Sequence, residues 1–140
     1  MSLEQLKKIR ARRMEQRFVE LQEQRRILAE HELLTRQKQQ ELTDFAHWRL
    51  QHQEALFANL KNQPFAPQAL FNYQKTLEDL RQQEERLQAE LKEHFKGLET
   101  AETQVQLAQQ QSSEANLKLE KLKEIIKLQG AKSSPEETVQ

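Results

Sequence analysis

The chain has 140 residues, of which 36% are hydrophobic and 31% charged, and it carries no net charge and no cysteine. That balance is too polar for an ordinary globular core of this length, and Ala, Glu, Lys, Leu and Arg make up more than half of the residues, as in long helices and coiled coils. Without cysteine there is neither a disulfide framework nor a thiolate metal site. No apolar run approaches the roughly 20 residues that span a bilayer, and the charged first turn lacks the apolar stretch of a signal peptide, so a cytoplasmic protein is expected.

Helix one is predicted from about residue 3 to 61, with no proline or glycine before Pro64. Its first 26 residues hold eight basic side chains against four glutamates. A fair heptad register passes through Ala11, Met14, Phe18, Leu21, Leu28, Leu42, Ala46, Leu56 and Leu60, with Arg25, Glu32 and Gln39 in core slots. A second stripe through Ile27, Leu34, Phe45, Trp48 and Ala55 competes with it, and such a conflict implies local unwinding or bending. Thr35 to Glu41 contains no apolar residue, which marks the weakest stretch.

The turn is predicted at 62–67, Asn62-Gln63-Pro64-Phe65-Ala66-Pro67. Proline removes a donor and pushes the preceding residue out of the α region, while Pro67 suits a first helical turn. Helix two, about 68–129, carries core positions from Leu70 to Ile126 at alternating steps of three and four, with Glu84 and His94 as polar members and Gly97 as the only glycine before Gly130. From Gly130 the heptad stops, and 130–140 reads as a disordered tail.

The fold expected is therefore all-α, one long two-helix antiparallel coiled-coil hairpin over 1–129. Folding about the break pairs positions whose numbers sum to about 129, which sets Ala101, Ala108 and Ala115 against Leu28, Leu21 and Met14, small against large. It also gathers the two basic stretches at one end of a rod.

Catalysis is not expected: two glycines exclude most phosphate-cradling loops and nucleophile elbows, and paired helices offer no concavity to desolvate a carboxylate pair. No cofactor and no metal are expected, since His94 could come near His31 without an evident third ligand. The basic end reads either as a solvated helix face or as a protein-binding surface. Phe18 is the only aromatic among the first 44 residues, which argues against nucleic acid. Six of the eight aromatics fall between 45 and 73. Phe45, Trp48 and Tyr73 suit core stripes, whereas Phe57, Phe65 and Phe71 surround the turn and read equally as a cap or as a docking patch.

The opening Leu3-Glu4-Gln5-Leu6-Lys7-Lys8-Ile9-Arg10, the group Phe45-Ala46-His47-Trp48-Arg49 late in helix one, and Leu117-Lys118-Leu119-Glu120-Lys121-Leu122 near the end of helix two together resemble the YscO/FliJ family of type III secretion and flagellar export proteins. The resemblance extends to about Gln129. It implies a hairpin like the coiled coil of the γ subunit of rotary ATPases, and a non-enzymatic central stalk or adaptor lying peripheral to the inner-membrane export apparatus of a bacterium. The partners it implies are a hexameric export ATPase at the end bearing the termini, and an export gate protein or escort chaperones on other surfaces. The residues then expected to meet the ATPase are Lys7, Lys8, Arg10, Arg12, Arg13, Arg17, Lys121 and Lys123; Phe45, Trp48, Arg49, Phe57, Phe65 and Phe71 are expected to meet other partners. A monomer with no direct membrane insertion is implied. Two alternatives from other classes are a homodimeric coiled-coil scaffold and a hairpin chaperone gripping clients through the aromatics around its turn.

Overall fold

A computed structural model describes the backbone of residues 2–64 and 66–139 and the side chains of 2–64 and 66–130. Phe65 lies outside the residues so described, as do the side chains of 131–140; the backbone of 130–139, expected as a disordered tail, continues helix two beyond its expected end at 129. Two α-helices, α1 (Leu3–Lys61) and α2 (Pro67–Val139), pack against each other as an all-α hairpin, with no strand among the described residues.

Reciprocal bonds fix the start of α1: the Gln5 amide donates to Ser2 Oγ at 3.1 Å and the Ser2 amide donates to Gln5 Oε1 at 3.0 Å. This capping box satisfies donors that an unflanked helix end leaves open. At the other end the last turn tightens, with the Gln63 amide donating to Leu60 O, and Pro64 stops the ladder. Ala66 O then accepts from the Leu70 amide, which opens α2 with Pro67 at its first position, where a missing N–H costs nothing.

The chain divides into two compact units, one formed by Met1–Ala29 with Thr100–Gln140 and the other by Glu30–Glu99. In the first, which holds the termini, the core is Leu21 from α1 against Ala101, Ala108, Ala115, Leu119 and Leu122 from α2, each 7% exposed or less. Arg17 reaches Gln111 and Arg10 reaches Lys118, so the antiparallel pairing follows the expected sum closely there. In the second, which holds the turn, Leu80 and Leu87 are buried, and Lys38 meets Glu90. Helix two thus follows its heptad: the predicted seam positions are buried or half-buried, Leu70 alone being more open at 37%.

Helix α1 differs from expectation in an instructive way. Its inward positions include Leu3, Lys7, Arg10, Met14, Arg17, Leu21, Gln24, Leu28, His31, Thr35, Lys38, Leu42, Phe45, Arg49, His52 and Leu56, an alternation of fours and threes, with Leu6, Ala11, Ile27, Ala46, Gln53 and Leu60 half-buried beside it. The predicted register is buried or half-buried at Ala11, Met14, Leu21, Leu28, Leu42, Ala46, Leu56 and Leu60. Four slots between 18 and 39 are displaced by one residue: the seam uses Arg17, Gln24, His31 and Lys38, while Phe18, Arg25, Glu32 and Gln39 are exposed. The reason is that long cationic side chains lay their aliphatic stems along a seam and carry their charge to its edge. No register shift is needed, and α1 runs as one helix.

Gly97 has a similar explanation. A Cβ there would lie 3.2 Å from both Cε1 and Nδ1 of His31, so the glycine is the space into which the imidazole packs. His31 and His94 line one shallow depression with Glu90, Glu93 and Gly97. Opposite this polar layer Thr35 is 3% exposed and its hydroxyl has no hydrogen-bond partner among the described residues, an uncompensated cost.

Candidate partner-binding surfaces

The basic side chains of the termini-bearing unit fall into two groups. Arg10 and Arg17 are half-buried and bind the hairpin itself: Arg10 Nη1 donates to the main-chain oxygen of Lys118 at 3.0 Å, and Arg17 Nη1 to Gln111 Oε1 at 3.3 Å and Glu20 Oε2 at 3.0 Å. Lys7 is half-buried too. The second group, Lys8, Arg12, Arg13, Lys121 and Lys123, is exposed, and of these Lys123 alone has an ion pair among the described residues, with Glu120 at 3.4 Å. The structure therefore separates cations that close the hairpin from cations that face solvent, a distinction that charge counting missed.

Two shallow concavities accompany these cations. One lies between the helices and is lined by Arg13, Arg17, Gln111, Glu114, Ala115 and Lys118. The other runs along α2, where Leu117 and Leu128, 55% and 58% exposed, alternate with Lys121 and Lys127. The eleven-residue spacing of those leucines, three helical turns on the face away from the seam, was the available signal for this strip.

In the turn-bearing unit the aromatics divide as well. Phe45 is half-buried; Trp48, expected in a core stripe, is 47% exposed. Its indole is clamped, 5.7 Å from the Phe45 ring and stacked on His52 at 4.7 Å with 14° between the planes. Arg49 points to α2, where it pairs with Glu84, so the polar member of the helix-two seam is matched by a cation across it. Phe57 and Phe71 are 52% and 59% exposed, and Lys61 Nζ stands 5.7 Å from the Phe57 centroid.

On one flank Lys38 ties α1 to α2, its ammonium bonding Glu90 across the seam at 2.6 Å and Glu41 on its own helix at 3.1 Å. The hydrogen bond from Lys38 holds the Glu90 carboxyl below the usual carboxylate range, and in return Glu90 first and Glu41 second push Lys38 up. Among the described residues no cluster of three or more His, Asp or Glu side chains could hold a metal ion, and no helix is long and apolar enough to cross a membrane.

Across residues 2–140 the chain matches the family described as type III secretion protein YscO. The chain belongs to the YscO family. The aromatic-x-x-Trp-Arg group and the hairpin are thus features of a YscO protein, and the chain is a component associated with type III secretion. No curated protein and no solved structure matches this YscO chain.

Proposed function

We propose that the protein is a non-enzymatic stalk and adaptor of a type III export apparatus. Its termini-bearing unit engages the hexameric export ATPase, and the Trp48 flank and the aromatics beside the turn engage a gate component or an escort chaperone. The observation that carries the ATPase contact is the set of exposed cations Lys8, Arg12 and Arg13 on α1 with Lys121 on α2, in a chain of the YscO family. Cations at the surface of a packed helix pair suit a channel lined by acceptors, because their charge is not consumed within the hairpin and the backbone that carries them is already ordered. Arg10 and Arg17 support the same surface indirectly, by holding α1 to α2 beneath it.

The test reverses charge at the exposed group. A variant carrying Lys8→Glu, Arg12→Glu, Arg13→Glu and Lys121→Glu is expected to lose co-elution with the export ATPase of its own secretion system while its circular dichroism stays unchanged. Retained co-elution at unchanged helix content would overturn the assignment. Arg10 and Arg17 are left untouched, since reversing them would loosen the hairpin as well.

A further inference from the structure

We infer that the outer face of α2 in the termini-bearing unit, from Leu117 to Leu128, is a self-complementary strip that reversibly receives the same strip of a second copy, laid antiparallel. The inference goes beyond the proposed function, and only its consequence for Lys121 rests on that reading.

Helix α2 turns one stripe inward, through Ala115, Leu119, Leu122 and Ile126. A second stripe, Leu117, Lys121, Glu124 and Leu128, repeats the same steps of four, three and four with an offset of two residues, about 200° around the helix. It has the spacing of a coiled-coil seam and faces away from the seam already filled. Its four members are exposed, Leu117 by 55% and Leu128 by 58%, and they line one shallow concavity with Glu120, Lys123 and Lys127.

Charge names the occupant and its direction. Lys121, Glu124 and Lys127 form no ion pair among the described residues, so their charges are not consumed within the hairpin. Glu120 meets Lys123 at 3.4 Å, with its side chain still 57% exposed. The stripe reads leucine, lysine, glutamate, leucine, so reversing it exchanges the unlike charges and keeps the leucines. A second copy laid antiparallel sets Leu117 on Leu128, Lys121 on Glu124 and, at the edge, Lys127 beside Glu120, each twice by two-fold symmetry. A parallel copy in register sets Lys121 on Lys121 and Glu124 on Glu124. Sliding the antiparallel copy by one heptad sets Glu114 on Glu124 and Leu117 on Lys121 in one direction, and Glu124 on Leu128 in the other. Only the unshifted antiparallel register satisfies leucines and charges together.

The contact is small. Leu117 and Leu128 are about 17 Å apart along the helix axis, too short a strip to bury the roughly 1,200 to 2,000 Å² of a stable interface. Single chains therefore prevail at micromolar concentration, and pairs form where the protein is concentrated. A copy seated on the strip covers Lys121, so pairing and the ATPase contact proposed above compete for that residue.

Sedimentation equilibrium of the full chain over a concentration series tests the pairing. The weight-average mass is expected to stay near that of one chain at about 10 µM and to approach that of two chains at about 1 mM. Lys121→Glu and Glu124→Lys each set like charges together, and each is expected to weaken pairing about tenfold or more at unchanged circular dichroism. Mixing these two variants, whose strips complement each other, is expected to restore it. Leu117→Glu is expected to weaken pairing with no recovery in either mixture. Three results overturn the inference: a mass independent of concentration, pairing indifferent to these substitutions, or a mixture of the two charge variants that pairs no better than either alone. Reversing Lys8, Arg12 and Arg13 on α1, which leaves the strip intact, is expected to keep pairing, so failure of the ATPase contact is distinguishable from failure of the strip.

Discussion

Gly97 illustrates how a residue that looks like a defect can be a fit. Glycine in a helix interior costs about 1 kcal/mol relative to alanine, and here the hydrogen in place of Cβ lets the His31 ring approach α2. An added methyl would sit 3.2 Å from two ring atoms, but the ring borders an open depression and can yield by a few tenths of an ångström. Gly97→Ala is therefore expected to stabilise the protein by less than about 1 kcal/mol, and by nearly that full amount in a His31→Ala background. Denaturant unfolding followed by circular dichroism measures both. Equal effects in the two backgrounds would show that the glycine does not serve the histidine.

At the scale of elements, the sequence showed α2 far better than α1, and the reason is chemical. The seam of α2 is written in leucine and alanine, for example Leu80, Leu87, Ala101, Ala108 and Leu122, so its period is legible from hydropathy. The seam of α1 alternates such residues with Arg10, Arg17, Gln24, His31 and Lys38, whose inward placement depends on acceptors on α2 that no local pattern reveals. The capping box of Ser2 and Gln5 is legible in the sequence as serine followed three residues later by glutamine. Trp48 reads as a core residue because it fits the second stripe of helix one; the structure leaves it 47% exposed.

The tie between the elements at Lys38 and Glu90 makes their pairing pH-dependent, with a definite sign. Glu90 titrates lower in the folded chain than in the unfolded one, so its stabilisation is present above the unfolded value and is lost as pH falls through the folded one. Lys38 titrates higher when folded, so its contribution is present below the ordinary lysine value and lost as pH rises through the raised one. Both are intact at neutral pH. Glu90→Gln is expected to lower stability at neutral pH and to reduce the loss on acidification, measured by denaturant unfolding across a pH series; an unchanged acid limb would mean that the tie contributes nothing there.

For the whole molecule, family membership and the hairpin agree, while the partner surfaces come from details that the family assignment does not contain. Neutral overall, the chain holds an acidic excess between Glu30 and Glu99 and therefore a basic excess in the remainder. On the stalk reading proposed above, one channel takes a single copy. Sedimentation equilibrium is accordingly expected to give a mass near 16.7 kDa, and a stable species of twice that mass would favour the scaffold reading.

The proline-built turn has a kinetic consequence. Every pairing between the helices obeys nearly the same sum, so sequence separation grows steadily from the turn outward, to 35 residues at Arg49 and Glu84, 52 at Lys38 and Glu90, and 108 at Arg10 and Lys118. Closing the shortest loop first costs the least chain entropy, and each closed pair shortens the loop to the next. The chain thus assembles as a zipper with one starting point, in which contacts near the turn set how fast the hairpin forms and contacts near the termini set how long it stays shut.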